Sequence, residues 1–311
     1  MQEKVEDKKT PLPDVSAIVL TFDEERNIAA CLSALSGKVK DIFIVDSYSA
    51  DNTLQIARGF TSHVYQNKFE SQAQQLQWAF ENLPIRTKWI MRVDADERWT
   101  PEALRELAGV LDNDSADSIY VKMRIYFMGR WMRHGGHYPN HYLRVFKSEH
   151  AKVENRLMDE HIIPYGRTFV LKNDIIEYNM KDRNFSLSNF IAKHNSFATR
   201  EAVEAVAIRN GYGKIDSVAD VRGGRTERKR YIKEKVYYRL PPFLRAFLYF
   251  LYRYFFQLGF WDGKEGLVFH FLQGFWYRFL IDAKIMEIEK KLIAENKDIG
   301  QVVSELHGIK L

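Results

Sequence analysis

The chain has 311 residues, of which 46% are apolar, 14% aromatic and 28% charged, with a formal net charge of +5. That size and composition fit one large α/β domain or two ordinary ones and exclude disorder as the main state. The lone cysteine, Cys31, excludes an internal disulfide and any zinc or iron–sulfur site built from cysteines, and it fits a reducing compartment.

The first 13 residues are charged and lack the apolar segment of a secretory signal, so a short flexible leader is expected at 1–13 and export is not. Residues 15–22 form a β-branched run, followed by a helical pattern over 27–35. A second buried strand is expected at 41–45, then a polar loop and a helix from 53 to 58. Further strands are expected at 63–65 and 89–93, with a helix at 71–82 between them. The strand at 89–93 runs directly into Asp94-Ala95-Asp96-Glu97. A helix at 101–111 and strands at 118–127 and 142–146 follow, after which the alternation fades. Ligands of open α/β sheets bind beyond the carboxyl ends of the strands, so the loops after the first, second and fourth strands should share one crevice.

Charge is regional. Residues 181–260 hold 16 basic and 7 acidic side chains, a net +9, which leaves −4 for the remainder. The peak runs through Arg222, Arg225, Arg228, Lys229, Arg230, Lys233, Lys235 and Arg239. Next comes a stretch, 237–279, with 18 of the chain's 43 aromatic residues. An amphipathic helix is expected at 187–204, a polar connection at 211–225 and a boundary near Arg230. On a helical wheel of 243–257, Arg245, Arg253 and Gln257 share one side, opposite Phe243, Leu244, Phe247, Phe250, Leu251 and Phe255. A second segment, 267–281, repeats the style, with a turn at Asp262-Gly263-Lys264. Two arginines make 243–257 a poor spanning helix and a better one for the headgroup boundary; two helices packed on the catalytic domain or on another subunit are the plainer alternative.

Two carboxylates at the end of a buried strand can share a hard divalent cation, Mg or Mn, and such an ion offsets the charge gained by a leaving diphosphate. Alone, Asp-x-Asp is a weak signal. Taken with Ser16-Ala17-Ile18-Val19-Leu20-Thr21-Phe22-Asp23-Glu24-Glu25 and Val45-Asp46-Ser47-Tyr48-Ser49-Ala50-Asp51-Asn52-Thr53, in this order and spacing, it resembles glycosyltransferase family 2, the inverting enzymes of GT-A fold. The family usually has Asn where Asp23 stands and often Asp where Ser47 stands.

The resemblance implies a Rossmann-like, nucleotide-binding mixed sheet flanked by helices over 14–230, with a C-terminal amphipathic, membrane-associating helical region over 231–311. It implies a donor pocket lined by Thr21, Phe22, Glu24 and Asp46. Asp96 would bind the metal directly, and Asp94 would meet the metal through water or contact the ribose. Inversion needs a base for the acceptor hydroxyl. The stretch Arg156-Leu157-Met158-Asp159-Glu160-His161 is similar to a Val-His-Glu segment in members that build bacterial surface polysaccharides, which makes Glu160 the base and Asp159 the alternative. Gly129-Arg130-Trp131, His134-Gly135-Gly136-His137-Tyr138-Pro139 and Arg144 look like the same subgroup, with Arg144 a partner for donor phosphate. His134, His137 and His161 are individually better read as satisfied or exposed histidines than as a metal cluster. Arg239-Leu240-Pro241-Pro242 and Gly259-Phe260-Trp261-Asp262-Gly263 are similar to the tail of lipopolysaccharide-core enzymes.

The expected activity is metal-dependent transfer of a hexose from a UDP-sugar to a lipid-linked saccharide, by an enzyme attached peripherally to the cytoplasmic face of the inner membrane. Residues 222–279 would face anionic lipid, nucleic acid would not be a partner, and a homo-oligomer stays open. A nucleotidyltransferase and a basic nucleic-acid-binding module are the competing readings. The first should show a Gly-rich basic loop after strand one, where this chain has Asp23-Glu24-Glu25.

Overall fold

The computed structural model describes residues 12–148, 151–153, 162–164, 166–178, 186–211, 231–232 and 236–309. Strand β1 (Leu12–Thr21) lies between β2 (Val39–Asp46) and β4 (Trp89–Asp94), parallel to both, and β3 (Val64–Gln66) completes a parallel half-sheet of order 3-2-1-4. The strand starts inside the expected leader because Leu12 is buried and pairs with Val39. Alternation along β1 sends Val15, Ala17 and Val19 to one face and Ile18 and Leu20 to the other. The first set packs with α1 (Ile28–Leu35) and α4 (Pro101–Asp112), the second with α3 (Gln72–Asn82). Thr100 and Ser71 cap α4 and α3, accepting hydrogen bonds from the Ala103 and Gln74 amides.

Beyond β4 the sheet becomes mixed. The short β5 (Glu97–Trp99) follows β4, and further on come β6 (Ser118–Phe127), β7 (Arg130–Trp131) and β8 (His141–Lys147). A separate two-stranded ribbon joins β9 (Ala151–Val153) to β10 (Ile162–Pro164), and β11 (Thr168–Glu177) returns to the main sheet. Strand β8 is antiparallel to β4 and to β6, β11 is parallel to β6, and β5 forms the far edge against β11. Strand β11 escapes sequence reading because Lys172, Asn173 and Asp174 interrupt its apolar alternation where its register with β6 shifts.

Helix α5 (Leu187–Arg209) was expected to belong to the catalytic domain, but it packs with the C-terminal helices. Its Ala198, Ala202, Val203 and Val206 meet Tyr277, Ile281, Ile285 and Ile288 of α8 (Tyr277–Glu295) and Val302 and Val303 of α9 (Ile299–His307). The expected boundary at Arg230 and the cations at 222, 225, 228, 229, 230, 233 and 235 lie outside the described residues. The aromatic stretch does form a hairpin. Helix α6 (Leu244–Leu251) runs on through a wide π-helical turn, Tyr252–Phe256. A turn at Gly259–Asp262 leads to α7 (Gly263–Phe269), which continues through His270–Trp276 into α8. No described helix is long and apolar enough to cross a membrane.

The hairpin's polarity is the reverse of an ordinary surface helix. An amphipathic helix on a globular body ordinarily turns its polar side to water. Here the polar side faces in: Arg245 donates to Asp282 at 3.0 Å, and Arg253 donates to the Gly135 carbonyl at 2.7 Å, both guanidinium groups being buried. The apolar side faces out.

Candidate active site

The register at the carboxyl edge sets the site. Thr21 pairs with Asp46 on one side of β1 and Leu20 with Asp94 on the other. The two aspartates therefore stand two strand spacings apart, roughly 10 Å, on the same edge. The loops after β1 and β2 are stitched together. The Asp23 amide donates to Ser49 Oγ at 2.8 Å, the Ala50 amide to Asp23 Oδ1 at 2.9 Å and the Glu24 amide to Thr53 Oγ1 at 2.7 Å. Asp23 and Tyr48 both hold positive φ, 50° and 62°, a conformation Asp tolerates better than most side chains. The cost is maintained by those cross-links.

Asp46 is fully buried, accepting from the Ser49 amide at 2.9 Å, from Ser49 Oγ and from Gln66 Nε2 at 3.1 Å. The Thr21 hydroxyl is buried with no partner among the described residues, and the Phe22 ring beside it is half exposed. Glu24 is buried and accepts from Asn27 Nδ2 at 2.7 Å. Four expected donor-pocket residues thus converge at one edge, with an orphaned hydroxyl and an open aromatic among them.

Past β4, Asp94 accepts from Arg144 at 2.9 Å and lies 3.5 Å from Arg92. Burial opposes its ionisation, but the two guanidinium groups outweigh that and hold it below the usual carboxylate range. Arg144 is buried and also donates through Nε to Glu97 at 3.0 Å. It therefore stands as an internal strut between two carboxylates. Asp96 differs. Burial pushes its carboxyl up to about 6; Lys193 pulls the other way, and Glu24 and Asp94 add to the rise. Glu177, paired in register with Glu97, is pushed up to about 8 by burial and then by Asp96.

This edge concentrates more negative charge than its cations offset, the electrostatic condition a divalent ion relieves. The oxygen donors Asp94 and Asp96 suit Mg or Mn. No group of three such ligands occurs among the described residues.

Glu97, Glu177 and Lys193 were not singled out from the sequence. Glu97 carries a signal in its place beside Asp96, but Glu177 and Lys193 become visible only through the pairing of β11 and the approach of α5. Glu160, Asp159 and His161 lie outside the described residues. His134 donates its backbone amide to Asp262 at 2.9 Å and its ring Nδ1 lies 2.6 Å from the same carboxylate; the His137 ring packs on Phe269. These two histidines are structural.

The family profile described as glycosyl transferase family 2 matches residues 16–178, just over half the chain and the whole of this edge. The chain belongs to glycosyl transferase family 2. It is a nucleotide-sugar glycosyltransferase of GT-A architecture, which replaces the nucleotidyltransferase reading. An uncharacterized glycosyltransferase of Rickettsia typhi is 22% identical over 289 residues, 89% of this chain and 88% of that protein. The SPbeta prophage-derived glycosyltransferase SunS of Bacillus subtilis is 24% identical over 57% of this chain and 43% of its own length. Among solved structures, glucosyl-3-phosphoglycerate synthase from Mycobacterium tuberculosis, in complex with Mn2+ and UDP-glucose, is 17% identical. That match covers 36% of this chain and 43% of that one, with a TM-score of 0.31.

Proposed function

We propose that this family 2 enzyme performs inverting, metal-dependent transfer of a hexose from a UDP-sugar to a lipid-linked saccharide of bacterial surface polysaccharide, oligosaccharide or lipopolysaccharide assembly. One observation carries the donor half: Asp46 and Asp94 stand on the strands flanking the end of β1, where the Thr21 hydroxyl is buried without a partner among the described residues. A nucleoside lying across that edge would stack on Phe22, donate to Asp46 and satisfy Thr21, with Glu24 lining the floor. Its pyrophosphate would then point toward Asp94 and Asp96.

Asp96 would hold Mn or Mg directly and Asp94 would meet the ion through water or bind ribose; the ion supplies charge neutralisation for the departing diphosphate. Arg144 and Arg92 keep Asp94 ionised and fixed in direction, so the site needs no reorganisation when the donor arrives. The acceptor hydroxyl loses its proton to a carboxylate on the face opposite the diphosphate, a role assigned to Glu160 with Asp159 as alternative. A lipid-linked acceptor is supported by the outward aromatic surface described above, which suits an enzyme working peripherally at the cytoplasmic face of the inner membrane. Screening UDP- and GDP-sugars for Mn-stimulated hydrolysis tests the donor reading. UDP-sugars should be turned over and Asp96→Ala should abolish turnover in a folded protein; turnover unaffected by Asp96→Ala would refute it.

A further inference from the structure

We propose that the outer face of the α6–α7 hairpin inserts into the headgroup region of an anionic bilayer, with the aromatic rings of the Tyr252–Trp261 tip entering first. The inference rests on the membrane-proximal reading above and specifies which face docks and by what force. On this face Leu244, Phe247, Leu248, Tyr252, Phe255, Phe256, Phe260 and Trp261 are exposed, Phe256 by 80% and Trp261 by 57%. Clustered exposed apolar residues on this scale mark an interaction surface.

The hairpin's charges are spent internally. Arg245 pairs with Asp282, Arg253 with the Gly135 carbonyl and with Gln273, and Arg278 with Glu201. From 240 to 262 no charged side chain is exposed. The buried arginines act as struts that hold the apolar side outward.

The choice of a bilayer over a second copy of this chain follows from charge. Arg239 precedes the face and Lys264 follows it, both exposed. An isologous dimer of this face would set these two cations against the same two cations of the second copy, whereas anionic headgroups neutralise both. Trp261 and Tyr252, apolar rings with one polar atom, are the residue types that settle at a membrane–water boundary.

Attachment to the catalytic domain is stiff. Arg130 donates to the Trp261 carbonyl at 3.1 Å, the Gly135 amide to the Gln257 carbonyl at 2.9 Å, and Asp262 receives His134. Gly135 and Gly136 are required here: a Cβ at Gly135 would lie 2.1 Å from the His270 ring and one at Gly136 2.0 Å from Gln257. Docking at the tip therefore fixes how the loop at 129–139 stands relative to the membrane.

The test uses the full chain with mixed phosphatidylcholine–phosphatidylglycerol vesicles. Wild type should cosediment, and a part of that binding should survive high salt because it comes from ring burial. Phe255→Asp with Phe256→Asp should lower partitioning at least about tenfold, while Phe255→Leu with Phe256→Leu retains most of it. Brominated lipid should quench tryptophan emission in wild type and markedly less in Trp261→Phe, a readout that needs no destabilising variant. Absence of quenching, or vesicle binding unchanged in the double aspartate variant, would overturn the proposal. So would wild type ignoring vesicles while the same variant converts a dimer to a monomer. Hydrolysis of a UDP-sugar without vesicles should be equal in wild type and the double aspartate variant. If hydrolysis fails in both but vesicle binding follows the pattern above, the donor reading falls and the docking surface stands.

Discussion

The carboxyl edge of the sheet and the C-terminal hairpin use the same device to opposite ends. Each buries an arginine against carboxylate: Arg144 against Glu97 and Asp94 at the edge, Arg245 against Asp282 in the hairpin. At the edge the cation falls short of the local negative charge, and Asp96 and Glu177 are left with raised pKa values, the mark of a site that favours a cationic visitor. In the hairpin Arg245 is matched by Asp282, Arg253 is held by the neutral Gly135 carbonyl and Gln273, and the outer surface is uncharged and aromatic. A buried ion pair can thus leave charge for chemistry, or withdraw it from a surface so that the surface can bury itself elsewhere. The distinction lies in what surrounds the pair.

The same lesion in the two regions should separate them. Arg144→Met and Arg245→Met each leave buried carboxylate without its partner, so each should lower stability by about 3–5 kcal/mol in denaturant melts. Arg144→Met should in addition cut donor hydrolysis and cation affinity roughly 10- to 100-fold, because Asp94 loses its orienting partner. Arg245→Met should leave hydrolysis intact at temperatures where the protein is folded. Equal losses of hydrolysis in the two variants would erase the contrast.

A smaller effect is expected where the regions join. Burial would raise the pKa of Asp262, but the nearby His270 ring and hydrogen bonds from the side chain and backbone of His134 pull it down to about 2. A carboxylate with a depressed folded-state pKa stabilises the fold above its ordinary pKa and loses that contribution as the pH falls through the folded value. Asp262→Asn should therefore cost about 2 kcal/mol near neutrality, and the gap to wild type should close between about pH 4 and pH 2. Melting curves across that window check it. The smallest effect belongs to surface pairs: Arg209→Ala, removing a half-exposed bond to Glu289, should change stability by less than about 0.5 kcal/mol.

Much of the edge was legible in the sequence because short parallel strands announce themselves as buried β-branched runs and their functional residues follow at once in the next loop. Val15 to Thr21, Ile42 to Asp46 and Trp89 to Asp94 all behave this way. The second half of the sheet did not read out. Strand β11 is interrupted by polar residues at its bulge, and β5 has only three residues, held by pairing to a strand some 80 positions later. The place of Arg144 was hidden for a related reason: a sequence shows that an arginine is near a motif, but which carboxylate it reaches is set by β8 pairing with β4. In the hairpin the periodicity was visible and its direction was not, since a helical wheel separates two sides without saying which one meets the protein. The partners that decide it, Asp282 and Gly135, are distant in the chain.

Calorimetric titration of UDP, with and without Mn, into wild type and Asp96→Ala tests the central claim most directly. Wild type should bind UDP far more tightly with the cation present, and Asp96→Ala should lose that cation-dependent gain while keeping its fold. Equal, cation-independent binding of UDP by both proteins would show that the carboxylates at this strand edge do not share a nucleotide–metal site.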